Sequence, residues 1–229
     1  LVWSLIAESQ VPVVIDADGL RCLAGRLEEL ARAAGAPGVR FAEEPGEPIG
    51  GERGGRTGGA PGELSSGERF VLTPHPGEMA ALLFCTVAEV QADRIGIARK
   101  AAALSGAVVV LKGSPTVVAA PDGRAYLNPT GNPALATAGS GDVLTGIISG
   151  LIARGLAPLE AAAVGVYLHG VCGDLAAPRS ATHFRRPDVR PGMRPSAGPS
   201  FGNGGTVAGD LVELIPEALS GLFSTRIRP

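Results

Sequence analysis

The chain has 229 residues, 45% apolar and 18% charged, with 20 Lys+Arg against 22 Asp+Glu. A sequence of this kind can bury a sizeable core, which excludes wholesale disorder, and a formal net charge of −2 excludes a globally basic nucleic-acid binder. No run of about 18 apolar residues occurs, so no membrane-spanning helix is expected.

The opening, LVWSLIAESQVPVVID, has no basic leader and does not read as a signal peptide. Val11–Ile15 predicts a short buried strand stopping at Asp16. Little sequence precedes it, so the amino-terminal part of the domain is expected to be missing. Gly19–Ala34 has apolar residues at helical spacing and ends near Gly35. Residues 36–69 hold 10 Gly and 4 Pro and predict a flexible insertion. Phe70–Leu72 is the next strand, followed by a turn over Thr73–Gly77. Thr86 and Glu89 fit a capping box opening a helix to about Leu104. Val108–Leu111 is a strongly apolar strand with Lys112 at its carboxyl end, and Thr116–Ala120 and Arg124–Leu127 flank the hairpin signature Pro121-Asp122-Gly123. After a Gly-rich turn, Val143, Leu144, Ile147, Ile148, Leu151 and Ile152 mark the buried face of a helix closed by Gly155. A helix over Pro158–Ala176 follows, with His169, Cys172 and Tyr167 read as core or packing residues, as is Trp3. Residues 178–206, with 5 Gly, 5 Pro and five arginines against one aspartate, predict a second flexible insertion. The last amphipathic helix spans Val207–Leu222. Strands alternating with helices predict one α/β domain over 1–229, with a mostly parallel sheet covered on both faces.

Cys22, Cys85 and Cys172 lie far apart without a CxxC pair, and only three histidines are present. Neither a disulfide framework nor a thiolate or His-rich metal centre is expected, and the usage suits a reducing cytoplasm.

Four segments bear chemistry. In Asn128–Asp142 (NPTGNPALATAGSGD), Gly139, Ser140 and Gly141 permit a tight turn at a helix amino terminus, where unpaired N–H groups and the helix dipole form an anion site. Asp142 beside it can accept a proton from a hydroxyl attacking a phosphate, or can simply cap the helix. Thr130 and Asn132 can line that site or satisfy loop backbone. Lys112, followed by Gly113 and Ser114, sits at a strand's carboxyl end, where α/β proteins bind ligands; it can hold phosphates or reach solvent. The prolines of Thr73–Glu78 (TPHPGE) stiffen a turn presenting His75 and Glu78. His75 can contact a substrate or be an idle surface histidine, and Glu78 can be an ordinary first-turn residue. Asp16 and Asp18 follow a strand and can hold water, a metal or a sugar hydroxyl, or cap the next helix.

PVVIDADGL, VLTPHPGEM, VVVLKGSPT and NPTGNPALATAGSGDVLTGIISGLIARG, in this order, resemble the ADP-dependent NAD(P)H-hydrate dehydratase family of the ribokinase-like superfamily. The resemblance covers about Val11–Ala34, Phe70–Ala177 and Val207–Leu222. It implies a three-layer α/β/α fold and a hydro-lyase that repairs hydrated NADH and NADPH with ADP, yielding AMP and phosphate. Phosphorylation turns the hydroxyl into a good leaving group, and elimination restores the dihydropyridine. Carried over residue by residue, Asp142 is the base and contacts the hydrated nucleotide, and Gly139, Ser140 and Gly141 form the anion hole. Lys112, Gly113, Ser114, Pro115 and Thr116 bind ADP together with Gly141. His75, Asn128 and Thr130 contact the hydrate. Magnesium is expected on the phosphates rather than in a protein cage, so no protein metal ligands are assigned, and ATP is the alternative donor. Self-association into a homo-oligomer is expected, without nucleic-acid or membrane partners. Ala134 and Ala138 depart from the family's frequent glycines. The GSGD turn alone also fits a kinase of a small alcohol such as a thiazole or pyrimidine vitamin precursor. An inactive truncated nucleotide-binding chain is a further alternative.

Overall fold

Three short apolar runs become adjacent parallel strands. They are β1 (Val13–Ile15), β2 (Phe70–Leu72) and β3 (Val108–Leu111), with Val14 opposite Val71 and Leu72 opposite Val109. β4 (Val117–Ala119) pairs antiparallel with β3, and β5 (Ala125–Leu127) completes the order β1-β2-β3-β4-β5. The sheet is therefore mixed, its parallel part confined to β1–β3. The hairpin expected around Pro121-Asp122-Gly123 forms: Gly123 N–H donates to Ala120 O (3.0 Å), Ala120 N–H donates to Arg124 O (2.9 Å), and Gly123 takes φ +89°. That is a turn closed by a left-handed residue, which the glycine permits.

This computed structural model describes residues 1–35, 69–182 and 206–224, and the chain divides into two compact units. Leu1–Tyr126 with Ala157–Leu159 forms the first, Leu127–Leu156 with Glu160–Pro229 the second. The tracts read as insertions lie outside the described residues, apart from Arg69, the helical residues 178–182 and Thr206.

In the first unit, Phe70, Leu72, Val109, Leu111, Val117 and Ala119 point to one side of the sheet. They pack with Leu20, Leu23, Leu30, Met79 and Ala98 from the helices. The alternate residues Val71, Val108, Val110 and Val118 are also buried, so these strands read as continuous apolar runs. A helix not expected from the sequence, α1 (Val2–Glu8), precedes β1. Arg69 ties its end down by donating to Ile6 O, Ser9 O and Ala33 O. The helix expected over Gly19–Ala34 is two pieces, α2 (Asp18–Arg21) and α3 (Leu27–Ala33), because Gly25 turns left-handed between them. Thr73–Gly77 is not an open turn: α4 (Pro76–Leu83) begins within it, with His75 as its N-cap. The capping box at Thr86 opens α5 (Val87–Ala92) as expected. Asp93 then ends that helix and starts α6 (Arg94–Ser105) by accepting from Gly96 N–H (2.8 Å). One continuous helix to Leu104 is thus replaced by two.

The second unit holds α7 (Ser140–Ala153), α8 (Pro158–Thr182) and α9 (Ala208–Ser224). Ile147, Leu168, Cys172, Leu211, Leu214 and Ala218 form its core. Among the described residues, no helix is long and apolar enough to cross a membrane.

Candidate functional site

The carboxyl ends of β1, β2 and β3 bring together residues far apart in sequence. Asp16 follows β1, His75 and Glu78 follow β2, and Lys112 follows β3. Lys112 Nζ donates to Asp16 Oδ1 at 2.8 Å and stands 3.8 Å from Glu78 Oε2. The side chains of Lys112, Asp16 and Glu78 are 20%, 12% and 14% exposed, so these charges are only partly solvated. His75 Nδ1 accepts from the N–H groups of Gly77 (3.0 Å) and Glu78 (3.2 Å). An acceptor at Nδ1 places the neutral ring's proton on Nε2, which lies 3.5 Å from Glu78 Oε1. Glu78 Oε2 accepts from His75 N–H at 2.7 Å, completing a capping box. Glu78 thus has the first-turn role and also faces Lys112, while the exposed edge of His75 stays open to a ligand. Asp18 is exposed and pairs with Arg21 (3.1 Å), away from this cluster of four.

Beyond Lys112 the chain turns through Gly113, Ser114, Pro115 and Thr116, where Thr116 Oγ1 donates to Gly113 O (2.9 Å). Lys112 N–H donates to Pro74 O (2.8 Å), locking the turn to the segment after β2. Gly113 and Ser114 are exposed, and among the described residues their N–H groups have no acceptor. They can receive an anion. Arg94, which sequence reading passed over, lies under this turn, and burial lowers its pKa from the usual guanidinium value.

In the second unit, Gly139 takes φ +82° as the N-cap of α7, with no side-chain cap. Ser140 N–H donates to Thr137 O (3.2 Å), and its hydroxyl pairs with His169 Nε2 (3.0 Å) inside the unit. His169 is buried, as its reading as a core residue requires. Among the described residues, the N–H groups of Gly141 and Asp142 have no acceptor, and the Asp142 carboxylate is exposed and without hydrogen-bond or ion-pair partner. This glycine turn therefore offers two amides beside a carboxylate that, among the described residues, is unpaired and does not cap the helix. The side chains of Asn128 and Thr130 are spent on loop building. Asn128 Nδ2 donates to Thr130 O (2.9 Å), and Thr130 Oγ1 bonds Asn128 Oδ1 and Tyr167 O (both 3.0 Å). Asp174 of α8, also missed from sequence, accepts from Gly131 N–H and Asn132 Nδ2 (both 3.0 Å). Among the described residues, no group of three or more His, Cys, Asp or Glu converges as a metal-ligand set.

Parallel strands with helices packed on them define an α/β protein, and the fold is shared with a solved ribokinase-like superfamily protein of Enterococcus faecalis V583, at a TM-score of 0.59 and 20% identity over 96% of this chain and 57% of that one. A family model for NAD(P)H-hydrate dehydratase matches residues 63–189, and the chain belongs to that family. It is 42% identical over 222 residues to the bifunctional NAD(P)H-hydrate repair enzyme Nnr of Moorella thermoacetica, a match covering 97% of this chain and 32% of that protein. It is 56% identical over 108 residues to the ADP-dependent (S)-NAD(P)H-hydrate dehydratase of Neisseria meningitidis serogroup B, covering 47% of this chain and 36% of the relative. Among solved structures, it resembles the Bacillus subtilis ADP/ATP-dependent NAD(P)H-hydrate dehydratase co-crystallised with ATP/Mg2+ and soaked with CoA. That likeness has a TM-score of 0.62 at 27% identity, over 96% of this chain and 59% of that one. The chain thus spans about a third of the length of the two curated relatives.

Proposed function

We propose that this chain takes part in ADP-dependent dehydration of hydrated NADH and NADPH, giving NAD(P)H, AMP and phosphate. The observation that carries this reading is the left-handed Gly139 opening α7, with Gly141 and Asp142 amides and an exposed Asp142 carboxylate that have no partner among the described residues. Asp142 takes the proton of the hydrate's hydroxyl as its oxygen attacks the β-phosphorus of ADP. The bond from that phosphorus to the bridging oxygen breaks, and AMP leaves. The phosphorylated carbon then loses phosphate and its neighbour a proton, restoring the ring's double bond. The anion turn meets developing charge with the amides of Gly141 and Asp142, while Gly139 and Ser140 shape it. Lys112 and the turn to Thr116 hold ADP phosphates, and the exposed edge of His75 contacts the hydrated dinucleotide. Asn128 and Thr130 act by shaping the loop ahead of the anion turn. Magnesium neutralises phosphate charge when bound. The three free cysteines fit a cytoplasmic setting. The whole chain is read as one ribokinase-like domain that self-associates.

The test is to incubate the purified chain with hydrated NADH and ADP, then with ATP, and follow the absorbance of restored NADH. ADP is expected to support recovery, and Asp142→Asn to slow it by about 10²–10⁴-fold while ADP binding survives. Recovery with neither donor, or unchanged turnover in the variant, overturns the reading.

A further inference from the structure

The Lys112–Thr116 turn is held from beneath by one side chain. Arg94, the first residue of α6, sends Nη2 to Leu111 O (3.2 Å), Lys112 O (3.1 Å) and Pro115 O (3.0 Å), and Nε to Pro115 O (3.2 Å). Its remaining nitrogen, Nη1, donates to Gln91 Oε1 at 2.8 Å, which fixes the plane of the guanidinium. Three backbone carbonyls on both sides of Gly113 thus converge on one rigid fork. Gly113 makes room for it: a Cβ there would stand 2.7 Å from Arg94 Nη2, and its φ of +142° favours glycine in any case. Among the described residues every Arg94 partner is a neutral oxygen, so its positive charge is not cancelled by a contact.

We propose that Arg94 is the positioning residue of the nucleotide turn. Its fork holds the carbonyls of Leu111, Lys112 and Pro115, which leaves the exposed Gly113 and Ser114 amides without an acceptor among the described residues, next to Lys112. Its charge lies beneath the same turn and adds attraction for phosphate. Arg94 touches neither ADP nor the reacting atoms; it acts through the turn. Lysine cannot replace it, because a single ammonium has no planar fork with which to span three carbonyls. This inference rests on the reading of Lys112–Thr116 as the ADP site.

The test uses the full chain with Arg94→Ala and Arg94→Lys, read in three ways. Hydrogen exchange of the Lys112 amide, which donates to Pro74 O, reports the turn without any ligand. Calorimetry gives the ADP Kd, and the dehydration assay separates KM from kcat. Both variants are expected to speed exchange at Lys112 about tenfold, leaving the Val109 amide in β3 unchanged. They are expected to weaken ADP about tenfold, equal to about 1.4 kcal/mol, through KM for ADP with kcat nearly constant. Unchanged exchange at Lys112, or Arg94→Lys behaving as wild type, overturns the proposal, the latter because charge alone would then suffice. Equal acceleration at Lys112 and Val109 also overturns it, because that marks general destabilisation. If the wild-type chain binds no ADP while exchange at Lys112 still responds to Arg94→Ala, the nucleotide reading falls and the turn-holding role of Arg94 stands.

Discussion

Two alanine substitutions at helical glycines should move stability in opposite directions. Gly170 lies in α8 directly beneath the Asn128–Asn132 loop. A Cβ there would overlap Thr130 Oγ1 and stand 2.8 Å from Thr130 Cβ. The loop is bound to α8 by Thr130 Oγ1 to Tyr167 O (3.0 Å), Asn132 Nδ2 to Gly173 O (2.8 Å) and two bonds to Asp174. Helix propensity alone favours Gly→Ala by about 1 kcal/mol. Against it stand overpacking, about 1–3 kcal/mol, and the loss of about two loop hydrogen bonds at about 1 kcal/mol each. Gly170→Ala should therefore destabilise by about 2–4 kcal/mol, lowering Tm by about 4–16 °C if the chain melts as one transition. Gly146 in α7 is exposed, and a Cβ there would meet nothing within 4 Å. Gly146→Ala should stabilise by about 0.5–1 kcal/mol. Urea unfolding of both variants against wild type decides it. Gly170→Ala as stable as wild type would refute the claim that loop and helix require this close approach.

Three further predictions follow from local geometry. Ala17, at φ +49° and ψ −122°, occupies the first central position of a turn closed by Gly19 N–H to Asp16 O (3.0 Å), a conformation that favours glycine. Ala17→Gly should therefore stabilise the fold by about 1 kcal/mol after the added freedom of the unfolded chain is subtracted, read as a higher urea midpoint. The Thr86 N–H, and secondarily its hydroxyl, hold the exposed Glu89 carboxyl below its ordinary pKa. A lowered carboxyl pKa contributes stability above the unfolded value, and that contribution disappears as pH falls through the folded value. Glu89→Gln should flatten this part of the acid limb of a stability–pH curve, and an unaltered limb would remove the capping box from the account. Ser140→Ala deprives buried His169 of a 3.0 Å hydrogen bond. A loss of about 1–2 kcal/mol in chemical unfolding is expected; no loss would mean that the pair does not hold the start of α7.

Much of the chain was legible because its signals are local. The β-branched run Val108–Leu111, the capping box at Thr86, the hairpin at Pro121-Asp122-Gly123 and the glycine turn opening α7 each encode their conformation within a few residues. Where two local signals compete within one periodic stretch, the reading ran them together. Asp93 is at once the end of α5 and the cap of α6, and Gly25 breaks a continuous apolar spacing. α1 escaped notice because it is short and has no side-chain cap.

Sequence by itself determined which elements present the residues of the candidate site: a lysine after a strand, a histidine in a proline turn, an aspartate behind paired glycines. Only the tertiary structure decided their partners. Lys112 meets Asp16 across 96 positions because β1, β2 and β3 lie side by side with their carboxyl ends together. Arg94 reaches the Lys112–Thr116 turn because α6 starts beneath it, and Ser140 finds His169 because α7 and α8 share one core. Strand order and helix packing set such contacts through the burial of whole faces, a property spread over the entire chain.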